Sequence, residues 1–79
     1  DNTVDVRGLR SDEAINRVET FLDRCFALDK NITFIIHGHG TGALKKEIRS
    51  WLKGSSYVRE QRPGVRGEGG DGVTAILMN

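Results

Sequence analysis

Both histidines of this 79-residue chain lie in one short stretch, Ile35-Ile36-His37-Gly38-His39-Gly40-Thr41-Gly42-Ala43-Leu44. An imidazole can take or give a proton near neutral pH, ligate a metal, or donate to a phosphate. Gly38, Gly40 and Gly42 stand at alternate positions. They let backbone approach a ligand with no Cβ between, and they allow positive φ. Thr41 can cap the helix that follows or donate to a phosphate oxygen. A strand end, a glycine loop and a helix start, in that order, suit an anion: the first N–H groups of a helix are unpaired and its N-terminus carries partial positive charge. A plain strand-to-helix turn is the alternative, and it needs fewer glycines.

Asp5 and Arg7 are the second pair that could do chemistry. They alternate with Val4 and Val6, so they share one face of a short strand. In an open α/β sheet, ligands gather at the C-terminal ends of parallel strands. Asp5, Arg7 and His37 are therefore expected to converge, with a surface Asp5–Arg7 ion pair as the alternative. Arg7 could grip a phosphate with two N–H groups. His37 or Asp5 could activate water, directly or through a divalent cation, Mg2+ or Mn2+, for which Asp5 is the candidate ligand. Glu68 and Asp71 could swing in from the later glycine-rich stretch. The histidine pair makes a poor zinc site, because the one cysteine, Cys25, lies on an apolar helix stripe and no Cys/His set exists. The stretch also fits Gly-x-Gly-x-x-Ala, but a dinucleotide fold needs two βαβ halves and this chain has room for one. The Gly-Lys-Ser/Thr of a P-loop is absent.

Net charge is only +1 but unevenly spread. Residues 45–66 hold seven Lys/Arg against two Asp/Glu. Lys45, Lys46 and Arg49 would form one cationic helix face, with Arg62 and Arg66 beyond. Such a patch beside a phosphate-type loop is the footprint of a polyanion. Phe21, Phe26, Phe34 and Trp51 all read as core, which argues against stacking on single-stranded bases.

The elements that must position these residues read as follows. Residues 3–8 make a strand stopped by glycine. Ser11 caps a helix over about 12–28, with Ala14, Ile15, Val18, Phe21, Leu22 and Cys25 at helical spacing. Ile32–Ile36 is a strand buried on both faces. A second helix runs over about 42–53, and a third strand over 57–61. Arg62 to Gly72 holds the one proline and five glycines, and it is expected to be a long mobile loop. Val73–Met78 is the last strand. The order β-α-β-α-β-β predicts an α/β two-layer sandwich: a mixed four-stranded sheet with both helices on one face. At this length the chain is one domain. It starts abruptly at a strand, as a piece of a larger protein would. No apolar run approaches the ~20 residues needed to span a bilayer. A single cysteine fits a reducing compartment such as the cytoplasm.

Taken together, Asp5-Val6-Arg7-Gly8, Glu13-Ala14, Ile35-Ile36-His37-Gly38-His39-Gly40-Thr41-Gly42-Ala43-Leu44 and Gly69-Gly70-Asp71-Gly72-Val73-Thr74 resemble the motifs of the Smr (small MutS-related) domain family. The glycine motifs look most like those of the C-terminal domain of the second bacterial MutS paralogue. The resemblance implies endonucleolytic nicking of DNA, with some relatives acting on RNA. It also implies a bacterial, cytoplasmic parent protein with an ATPase core, tied to suppression of recombination or to ribosome rescue. The family's functional motifs fall on Asp5, Arg7, His37, Gly38 and Gly40. Relatives often carry Lys or Arg between the last two, where His39 stands here.

The resulting expectation is a phosphodiesterase. Asp5, Arg7, His37 and His39 would act on a phosphate held by Gly38, Gly40, Thr41, Gly42, Lys45, Lys46, Arg49, Arg62 and Arg66. The rivals are a non-catalytic DNA-, RNA- or ribosome-binding module, a small-molecule phosphate binder, and an oligomerisation domain. In isolation the chain is expected to be a monomer.

Overall fold

The computed structural model describes residues 1–79 and gives the predicted order. Strand β1 is Thr3–Asp5, helix α1 Ser11–Ala27, β2 Ile32–Ile36, α2 Ala43–Leu52, β3 Val58–Pro63 and β4 Val73–Met78. The sheet order is β1-β2-β4-β3, with β1 parallel to β2 and the other two pairings antiparallel. No helix is long and apolar enough to cross a membrane.

Helix α1 buries Ala14, Val18, Leu22 and Cys25, spaced four, four and three apart, which puts them on one stripe. Asp12 and Glu13 in its first turn and Arg24 in its last complement the helix dipole. The expected Ser11 cap is not made: Ser11 is already helical, and Arg10 occupies the cap position without a side-chain bond. At the other end Asp29 adopts a left-handed φ of 56°. Its N–H donates to the Phe26 carbonyl and that of Lys30 to the Cys25 carbonyl. This is a Schellman closure with Asp in glycine's usual place.

The core is a single cluster. Val6 and Ile35 join α1's stripe, Ile48 and Leu52 of α2, and Ile76 and Met78 of β4. Strand β2 is buried on one face only: Thr33 and Ile35 are buried, while Ile32 is exposed and Phe34 and Ile36 are half-buried. The strand buried on both sides is β4, which lies between β2 and β3. Phe26 is likewise exposed and stacks at a tilt on Tyr57.

The stretch expected to be a mobile loop is instead built. Arg62 and Pro63 extend β3, an edge strand where a missing N–H is tolerated. Two 3-10 turns, Arg66–Glu68 and Gly70–Gly72, fold back beside the open sheet face, where Gly67 and Glu68 line one hollow with Thr3, Phe34, Ile36 and Val73. The Glu68 carboxylate holds the turn, accepting from the Val65 N–H at 2.8 Å and from Arg62 at 2.7 and 3.1 Å. Composition shows the glycines, but not the one carboxylate that ties them down.

Candidate nucleic-acid interface

The β2–α2 loop is held from below by Gly72, the residue before β4. The Gly72 carbonyl accepts the N–H groups of both His37 and Gly38, at 3.2 and 2.9 Å. Gly42, at φ 88°, caps α2 from the left-handed region, and its N–H donates to the His39 carbonyl. The Thr41 hydroxyl accepts the Ala43 N–H at 3.3 Å. The N–H groups of His39, Gly40, Thr41, Leu44 and Lys45 have no acceptor within the chain. Five unpaired donors at a helix N-terminus remain for an anion.

His37 is buried, and its two ring nitrogens are both engaged. The Gly38 carbonyl can only accept, so it requires the proton on Nδ1, and in the neutral ring Nε2 is left to accept. Arg49 Nε–H donates to Thr74 Oγ1 at 2.8 Å, the Thr74 hydroxyl donates to His37 Nε2 at 2.8 Å, and His37 Nδ1–H donates to the Gly38 carbonyl at 2.9 Å. The ring is therefore the neutral Nδ1–H tautomer. Burial pushes its pKa below the ordinary 6.5, and the nearby charges of Arg49 and Lys45 push the same way. The lone pair that would accept a proton from water is taken by Thr74.

Asp5 and Arg7 form the opposite kind of cluster. Arg7 Nη2 and Nε donate to the Asp5 carboxylate at 2.6 and 3.0 Å, and the Arg7 backbone N–H donates to it at 3.0 Å. Both residues are exposed. The Arg7 hydrogen bonds hold the Asp5 pKa at about 2. The Arg7 stem runs against the loop: a Cβ on Gly38, whose φ is 76°, would stand 3.3 Å from Arg7 Cγ.

The expected three-way convergence is thus divided. Asp5 is in register with Ile36 and shares its face. His37, the next residue, turns to the helix side, because successive side chains alternate. Arg7 reaches the loop at Gly38, and no hydrogen bond or ion pair joins Asp5 or Arg7 to His37.

The cationic patch is largely paired. Asp71 takes Lys45 at 2.5 Å and Arg49 at 3.0 Å, and Glu68 takes Arg62. Lys46 and Arg66 are exposed with no carboxylate partner. The exposed His39 packs its ring beside Gly72, where a Cβ would stand 3.0 Å from Nε2. The donor set does not fit a metal ion: Asp5 is committed to Arg7, and no three His, Cys, Asp or Glu side chains are grouped to hold one. Thr74 and Gly72 were not singled out from the residues themselves. The available signal was a threonine inside the apolar run Val73–Met78, since a buried hydroxyl needs a partner.

The family model described as the Smr domain matches residues 4–79. Endonuclease MutS2 of Anaeromyxobacter sp. (strain Fw109-5) is 49% identical over 75 residues, covering 95% of this chain and 9% of that protein. Endonuclease MutS2 of Fusobacterium nucleatum is 44% identical over 75 residues, covering 95% and 10%. The crystal structure of the Smr domain of Thermus thermophilus MutS2 superposes with a TM-score of 0.96 at 37% identity, over 100% of this chain and 99% of that one. YdaL, a stand-alone small MutS-related protein from Escherichia coli, shares the fold, with a TM-score of 0.86 at 20% identity over 99% and 64%. The chain spans about a tenth of the length of the curated relatives it matches.

Proposed function

The chain belongs to the Smr domain family, and from that premise we propose that it is the nucleic-acid-binding, DNA-nicking domain of a longer bacterial MutS2-type protein with an ATPase core, acting in the cytoplasm. The observation that carries the reading is the row of unpaired N–H groups at the start of α2 beside the exposed Arg7 fork. A phosphodiester seated there receives backbone donors on one side and a planar guanidinium on the other. Arg7 exchanges its carboxylate for phosphate oxygens, which releases Asp5 next to the scissile group. Water then attacks phosphorus, its proton passes to Asp5, one P–O ester bond breaks, and the departing sugar oxygen takes a proton from solvent. Arg7 and the helix N-terminus stabilise the charge that develops. His37 shapes the loop from below and His39 flanks its outer side.

The test is nicking of supercoiled DNA, and cleavage of RNA in parallel, in Mg2+, Mn2+ and EDTA. Asp5→Asn and Arg7→Gln are each expected to lower cleavage by ~10²-fold or more in every condition where the parent cleaves. Full activity in both variants would remove this site. A second reading, a binding module that cuts nothing, is favoured by the closure of both proton acceptors, Asp5 by Arg7 and His37 by Thr74. It predicts salt-sensitive binding with no cleavage at any metal concentration.

A further inference from the structure

We propose that Lys45 and Arg49 form a second phosphate subsite beside the glycine loop, for a neighbouring phosphodiester of the same polynucleotide, and that Asp71 fills it in the free protein as a tethered substitute for phosphate oxygens. This rests on the nucleic-acid reading above.

The geometry is that of an occupied anion site. Asp71 Oδ2 meets Lys45 Nζ at 2.5 Å, and Oδ1 meets Arg49 Nη1 at 3.0 Å. Two oxygens on two cations is an arrangement that the two non-bridging oxygens of a phosphodiester can reproduce. The carboxylate is the outer layer. The Asp71 side chain is 51% exposed, against 22% for Lys45 and 23% for Arg49, so an anion arriving from solvent reaches the cations by taking the carboxylate's place. One carboxylate against two cations also leaves a local charge of +1.

The cations stay aimed when Asp71 leaves. Arg49 keeps Nε on Thr74 Oγ1, and its Nη2 lies 3.4 Å from the Val73 carbonyl, so only Nη1 is released. Lys45 additionally brings a free backbone N–H. The tether can let go without disturbing the loop. Asp71 sits between Gly70, at φ 60°, and Gly72, whose carbonyl is pinned by the His37 and Gly38 N–H groups. Rotation of the side chain is enough.

The consequence is a preference for polynucleotide over mononucleotide, and an affinity held down by the chain's own carboxylate. Asp71→Asn keeps the shape and removes the charge. It is expected to tighten binding of a short fluorescent DNA duplex about three- to tenfold at low salt. The log K against log salt slope should steepen by about 0.9, one further phosphate neutralised. In the Lys45→Gln background the gain should shrink, because one of the two cations that Asp71 covers is gone and only Arg49 is released. Lys45→Gln alone should weaken parental binding and flatten the slope. A folded Asp71→Asn chain that binds no more tightly, a gain undiminished by Lys45→Gln, or a Lys45→Gln chain that binds like the parent overturns the subsite alone. A chain that binds neither DNA nor RNA in any variant overturns the nucleic-acid reading with it.

Discussion

Two polar clusters flank the same loop, and they are held in opposite ways. Below it, Arg49, Thr74 and His37 form a directed chain in which every donor and acceptor is paired and His37 and Thr74 are buried. Beside it, Asp5 and Arg7 form a bidentate pair in solvent. Removing a member of the first leaves buried groups unpaired, which is strongly destabilising. In the second, water can take the place of either partner, so the pair contributes little to stability and is free to exchange for a ligand. Chemistry-bearing residue types occur in both, but only the exposed pair is open to solvent. The buried set shapes the loop from below.

The largest expected effect separates the clusters by readout. Arg7→Gln should lower nicking by about 10²–10³-fold, the range for losing a transition-state donor. Its thermal midpoint should stay close to the parent's, as for most exposed substitutions. His37→Ala should do the reverse and cost about 2–4 kcal/mol of stability, because Thr74 and the Gly38 carbonyl lose their partner. Against the ~5 kcal/mol of a small domain that is a large fraction, visible in urea unfolding. An Arg7 variant that unfolds, or a His37 variant that does not, would collapse the distinction.

Gly38→Ala joins the two clusters and should show a smaller effect. The left-handed φ costs an L-residue about 1–2 kcal/mol. The new methyl also presses on the Arg7 stem. Both stability and nicking should fall, the only substitution of the three to move them together.

Acid should act on the clusters in sequence. The pKa of His37 in the folded chain lies below 6.5, so the unfolded chain binds the proton more readily and stability declines as pH drops below about 6.5. The pKa values of Asp5, Asp71 and Glu68 are lowered to about 2, from 3.8 for the aspartates and 4.5 for the glutamate. Their contribution is present above those ordinary values and is lost as pH falls towards 2. Urea midpoints followed against pH should show the first decline clearly and the second as a shallow slope, since those pairs face solvent, with His37→Gln removing the first only.

The fold was largely legible because each helix and strand repeats one period. Ala14, Val18, Leu22 and Cys25 announce a helix stripe, and Thr3–Arg7 and Ile32–Ile36 announce strands. What was not legible depends on register and on single long-range bonds. Asp5 and His37 both lie at the ends of adjacent parallel strands, yet the pairing of Asp5 with Ile36 sends them to opposite faces. Whether a cation is free also depends on the far partner: Lys45 looks unpaired in sequence, and Asp71, 26 residues on, neutralises it. The glycine-rich stretch read as mobile because composition carries no record of Glu68 closing it onto Arg62 and Val65.

The division between an exchangeable exposed site and a closed buried one is tested most directly by nitrogen-15 NMR of the chain titrated with a short DNA duplex near neutral pH. The backbone signals of His39, Gly40, Thr41, Leu44 and Lys45 and the Arg7 Nε–H signal should shift together. The His37 ring should keep the pattern of the neutral Nδ1–H tautomer throughout. Shifts that spare those amides, or a His37 ring that protonates or changes tautomer as DNA binds, would contradict the account.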